Sequence, residues 1–150
     1  MPDNYDPYEE IAQDILDMKP GEVRQVFVYG TLKSGGPVRG MEGSENAQIV
    51  GRATTLYPDY DMIDMGQFPA VVMNGTYKIQ GEVWEVNAKV AAKLDAIEGY
   101  PDFYKREQVQ TTQGKAWMYY LERDSWVGMK TDAESPQIDV INDEAKQWIL

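Results

Sequence analysis

One helix set among many short strands constrains this chain most. Residues 88–97 place Val90, Ala91, Leu94 and Ile97 on one face, the spacing of an amphipathic helix. Asn87 precedes them as a good N-cap, Gly99 stands where a helix commonly ends, and Pro101 prevents continuation. Almost everything around this helix reads as strand. Val26-Phe27-Val28-Tyr29 ends an opening strand over 23–29, bounded by Gly30. Strand-like pieces follow near 47–57, 60–65, 69–73 and 76–86, punctuated by Gly66, Pro69, Asn74-Gly75 and Gly81. Asn74-Gly75 predicts a hairpin turn. Two later strands, 104–111 and 115–122, flank a turn at Gln113-Gly114. This order predicts an α+β fold with a largely antiparallel sheet or small barrel.

The ends are of different character. Ile11, Ile15 and Met18 recur at helical spacing, with Asp6, Glu9 and Glu10 in the first turn, so a helix is expected over 5–18 and Pro20-Gly21 ends it. The tail from Asp132 is polar, with a short helix expected at 142–149. Three parts result: an N-terminal helical extension over 1–22, a main domain over 23–122, and a tail over 123–150 that packs on the domain or extends from it. The 150 residues suit one domain, and no repeat is visible. The N-terminus lacks the basic and apolar regions of a signal peptide, and no apolar run approaches a membrane span. A cytoplasmic location is the expectation.

The residue inventory restricts the chemistry. There is no cysteine and no histidine. A Ser-His-Asp triad, a cysteine nucleophile and every histidine or thiolate metal site are therefore excluded. Proton transfer falls to Asp, Glu, Lys, Tyr, a terminus or water. The formal charge of −11 repels nucleic acid phosphates and anionic membranes.

Three groups of residues could carry chemistry. The loop Tyr29-Gly30-Thr31-Leu32-Lys33-Ser34-Gly35-Gly36 can bring backbone N–H groups close to an anion or carbonyl oxygen. It is not a phosphate-binding P-loop, because Gly36-Pro37 stands where Lys and Ser/Thr are required. Glu98, at the C-terminal end of the internal helix, meets the negative end of the dipole. That raises its pKa only slightly, so burial would have to supply the rest. Tyr104 and Arg106 share one face of their strand, whereas Tyr119 and Tyr120 point opposite ways. Each group also has a plainer reading: an ordinary turn, a surface glutamate, core aromatics and, for Arg106, a surface ion pair.

Taken together, these segments resemble the gamma-glutamylcyclotransferase-like family. Residues 26–35 resemble its opening strand and substrate loop, with the tyrosine-glycine-serine/threonine-leucine signature at Tyr29-Gly30-Thr31-Leu32. Gly66-Gln67-Phe68-Pro69-Ala70 resembles the segment before its middle strands, and Gly81-Glu82-Val83-Trp84-Glu85-Val86 its central strand. Leu94-Asp95-Ala96-Ile97-Glu98-Gly99, followed by Tyr104-Lys105-Arg106, resembles the helix end that carries its catalytic glutamate. Ala116-Trp117-Met118-Tyr119 resembles its last core strand. The likeness runs over about 24–122.

The resemblance implies a mixed, largely antiparallel sheet closing into a small barrel with flanking helices. It implies cleavage of a gamma-glutamyl amide or amine without metal or organic cofactor, the substrate's own α-amino group attacking its γ-carbonyl. Glu98 would be the catalytic acid/base, and Tyr29, Gly30, Thr31, Leu32, Tyr104 and Tyr119 would bind substrate. The expected partner is a small gamma-glutamyl molecule, with no nucleic acid and no membrane; the number of subunits and the leaving amine stay open. Two other readings remain beside it: a non-catalytic small-molecule binding module on the same fold, and an acidic interaction protein.

Overall fold

The computed structural model describes residues 11–33, 46–122 and 135–150. Residues 5–10 of the expected N-terminal helix and Ser34 to Pro37 of the glycine-rich loop lie outside them. The spine of the fold is a ten-residue strand, β5 (Lys78–Asn87), which runs directly into the internal helix. On one edge it pairs antiparallel with β1 (Val23–Val28), and elsewhere antiparallel with β2 (Ala47–Thr54). β1 in turn pairs parallel with β7 (Gly114–Tyr120), and β7 antiparallel with β6 (Lys105–Thr111). A separate hairpin, β3 (Tyr60–Asp64) with β4 (Pro69–Met73), completes the central part. Bridges at Val72–Leu121, Tyr60–Tyr77 and Thr55–Thr111 tie the hairpin and the sheet edges together. The result is a mixed sheet curled into a half-barrel, an α+β fold as the sequence predicts.

Alternation along β1 builds two cores from one strand. Val26 and Val28 face a cluster with Val90, Ala91 and Leu94 of the helix, while Phe27 and Tyr29 face Met62, Val71, Val83 and Met118. Gly81 lets β1 approach, since a Cβ there would lie 2.3 Å from the Val28 carbonyl oxygen.

Three expectations are corrected. Asn74 does turn the chain, with φ of 63°, but β4 and β5 are not partners across it. β5 is taken up between β1 and β2, and Gly75 instead packs on the Tyr60 backbone, its N–H donating to Asp59 O. The tail is not helical over 142–149. It forms the hairpin β8 (Ile138–Ile141) and β9 (Ala145–Trp148), and β9 adds in parallel to β5. Trp148 is 1% exposed, and Lys146, equally buried, donates to Asp61 at 2.6 Å beside the Tyr77 ring. Near the N-terminus the described helix is short, α1 (Gln13–Leu16), and it is docked, with Ile15 buried in the core. Among the described residues no helix is long and apolar enough to cross a membrane.

Candidate active site

The site is prepared at the end of the internal helix, α2 (Ala88–Glu98). Asn87 caps its start by accepting from Val90 N–H at 3.0 Å. Gly99, in the left-handed region at φ of 66°, ends it, and its N–H and that of Tyr100 satisfy Ala96 O and Asp95 O. The chain then folds back, Phe103 N–H donating to Gly99 O at 2.7 Å, and Tyr104 follows into the core. These local choices leave Glu98, half-buried, on the wall of a cavity of about 380 Å³.

The cavity is mostly apolar. Phe27, Phe68, Pro69, Ile97 and Phe103 line it together with Tyr29, Gly30, Thr31, Leu32, Gln67, Tyr104 and Tyr119. Every sequence-predicted site residue therefore borders one cavity. Burial in these surroundings pushes the Glu98 carboxyl up from 4.5 to about 7. The helix dipole is not needed to account for that rise. Among the described lining residues Glu98 is the only carboxylate, and none is Lys or Arg.

Residues of the loop signature, and Lys33 after it, do different things. Tyr29 presents its ring to the cavity, but its hydroxyl is built into the fold, donating to Tyr119 O at 2.7 Å and accepting from Val71 N–H at 3.1 Å. Gly30 owes its lack of a side chain to Pro69: a Cβ would stand 2.8 Å from two ring carbons. The reason is packing within the wall, where the sequence suggested backbone freedom toward a ligand. Leu32 is 6% exposed and belongs to the core. Lys33 N–H closes the turn on Gly30 O, and Lys33 Nζ donates to Trp148 O at 2.7 Å, so β9 anchors this loop.

Arg106 corrects the plain reading of a surface ion pair. Its side chain is 3% exposed. It donates to both oxygens of Asp95, at 2.9 and 3.1 Å, and to both of Asp14, at 2.8 Å each. Its guanidinium also lies over the rings of Tyr100 and Trp117. Asp95 in turn accepts from the Tyr119 hydroxyl. Sequence reading passed over Asp95 and Asp14; a carboxylate three residues before Glu98 on the same helix face was the available signal for the first, and nothing local signals the second.

The profile of the gamma-glutamyl cyclotransferase, AIG2-like family matches residues 26–146. The chain belongs to this family. The match reaches past residue 122, where the sequence resemblance ends, and takes in β8 and the first half of β9. The Escherichia coli K12 gamma-glutamylcyclotransferase family protein YtfP is 35% identical over 104 residues, covering 66% of this chain and 83% of the relative. The fold agrees with a crystal structure of an AIG2-like protein from Mus musculus, with a TM-score of 0.62 at 26% identity, covering 77% of this chain and 92% of the other. The solution structure of Escherichia coli YtfP gives a TM-score of 0.52 at 33% identity, over 71% and 88% of the two chains.

Proposed function

We propose that this family member is an enzyme that cleaves a gamma-glutamyl amide or amine by intramolecular cyclisation. The substrate's α-amino nitrogen attacks its own γ-carbonyl carbon, the bond from that carbon to the leaving nitrogen breaks, and 5-oxoproline and a free amine result. Glu98 takes a proton from the substrate's ammonium and delivers one to the departing amine. Holding amine and carbonyl together in the cavity removes much of the barrier, so no enzyme nucleophile is required. That agrees with a chain lacking Cys and His.

The observation that carries the proposal is a half-buried glutamate on the wall of a mostly apolar cavity that the Gly30–Leu32 turn also lines, its carboxyl pushed up by burial to about 7. A carboxyl poised near neutrality accepts and returns protons with little penalty either way. We assign the substrate's α-carboxylate and the oxyanion to backbone N–H donors of that turn, which lines the cavity.

The test is a panel of gamma-glutamyl compounds assayed for 5-oxoproline, with Glu98→Gln beside the wild type. Stoichiometric release of 5-oxoproline and amine is expected. The variant should lose about 10²–10⁴-fold in kcat while still binding substrate. A folded variant with near-wild-type kcat would remove Glu98 from the chemistry and leave the binding-module reading in the lead.

A further inference from the structure

Asp95 takes no part in the reaction steps, yet it lies one helical turn before Glu98. It is 4% exposed and three residues back on α2, a spacing at which helical side chains are neighbours. It accepts from Arg106 Nε at 2.9 Å and Nη2 at 3.1 Å, and from the Tyr119 hydroxyl. Asp14 of α1 closes the other side of the same guanidinium, accepting from Nη1 and Nη2 at 2.8 Å each and from Arg24 at 3.1 Å. One buried cation is thus held between two carboxylates. A buried ion pair roughly breaks even against apolar packing, so stability alone gives little reason for one here.

The groups that face Glu98 share a pattern. From β1, Tyr29 donates its hydroxyl hydrogen to Tyr119 O; after α2, Tyr104 donates to Pro69 O; from β7, Tyr119 donates to Asp95. All three phenols are near enough to feel a Glu98 charge. The Gly30–Leu32 turn and the stretch Gln67-Phe68-Pro69 bring no titratable group to the cavity. From β6 comes Arg106, bonded to the last turns of α2 through Asp95. Among the described residues no side chain donates to the Glu98 carboxyl, and burial pushes it up to about 7. A hydrogen-bond donor or an unpaired cation there would favour the ionised form and bring the carboxyl down. Each phenol, and the guanidinium, has an acceptor elsewhere.

We propose that Asp95 and Asp14 are positioning residues for the reaction. Asp95 holds the Tyr119 hydroxyl, and the two carboxylates together hold the Arg106 guanidinium, so that neither turns to Glu98 and the base stays free for the substrate. The inference deepens the cyclotransferase reading and rests on it for what Glu98 does.

The test reads Glu98 itself, with no substrate present. Its carboxyl carbon is followed by ¹³C NMR against pH, the signal being the one missing from Glu98→Gln. The wild type should titrate at about 7. Asp95→Asn leaves Arg106 with one carboxylate, and Glu98 should then titrate at about 6 or lower, since an uncovered cation lowers a nearby carboxyl by about 1–3 pH units. Adding Arg106→Met to that variant removes the uncovered charge and should return the midpoint toward the wild-type value. Asp14→Asn should move it down by about 0.3–1 pH unit, because water covers part of the loss. The acid limb of kcat/KM should follow each midpoint. Thermal melts verify folding; Asp14 is partly exposed, so its variant decides if those at Asp95 do not fold. A cluster that only braces the fold would lower the melting temperature and leave the midpoint at about 7. That result, a midpoint that stays low after Arg106→Met, or a wild-type midpoint near 4.5 would overturn the proposal. The two readings fail separately: shifted midpoints without any 5-oxoproline release contradict the cyclotransferase reading alone, and release with unshifted midpoints contradicts the positioning role alone.

Discussion

Glu98 shows how one residue couples chemistry to stability. Its carboxyl is raised from 4.5 to about 7 by burial, so the folded chain holds a proton that the unfolded chain would release. The neutral form thus contributes stability that is complete below the unfolded value and is lost as pH rises through about 7. Glu98→Gln keeps the neutral form at all pH. Its melting temperature, relative to wild type, should therefore be more favourable at about pH 8.5 than at about pH 5.5. A pH-independent difference between the two proteins would mean that the carboxyl titrates alike folded and unfolded. The position of Glu98 was legible in the sequence because its helix carries both of its own end signals. The role of Gly30 was not, because Pro69, whose ring forbids a side chain there, lies 39 residues further on.

Among the elements, α2 and the tail hairpin mark the two extremes of legibility. The helix could be read from Asn87, the apolar face and Gly99 alone, since every signal is local. The hairpin β8–β9 could not. Lys146 in the strand looks like a solvated residue, yet the fold buries it against Asp61 and Tyr77. That pairing across 85 residues hides the alternation that would announce a strand. The hairpin also holds the Lys33 amine through Trp148 O, so it supports the cavity wall. Trp148→Ala should cost about 3–5 kcal/mol in chemical denaturation, as expected for emptying a fully buried Trp site. A loss under about 1 kcal/mol would fit a tail that merely lies on the surface.

For the whole molecule, the point of interest is that a segment outside the family match reaches the site. Asp14 on α1 lies before residue 26, where the match begins, yet it holds Arg106, which holds Asp95, whose other contact is Tyr119. Arg106 in return keeps the Asp14 carboxyl below the usual carboxylate range. Asp14→Ala leaves a buried guanidinium with Asp95 but without its second carboxylate. Because Asp14 is partly exposed and water can take its place, the expected cost is about 1–2 kcal/mol, read from the denaturation midpoint. Activity should fall with it, since Tyr119 loses the frame that fixes Asp95; an unchanged midpoint and kcat would show that α1 is dispensable. The central claim, cyclisation by the substrate's own nitrogen, is tested most directly by following turnover of a gamma-glutamyl amide labelled with heavy nitrogen at the α-amine, in water carrying heavy oxygen. The account predicts 5-oxoproline that retains the labelled nitrogen in its ring and takes up no oxygen from solvent. Release of free glutamate with solvent oxygen in its γ-carboxyl would contradict it.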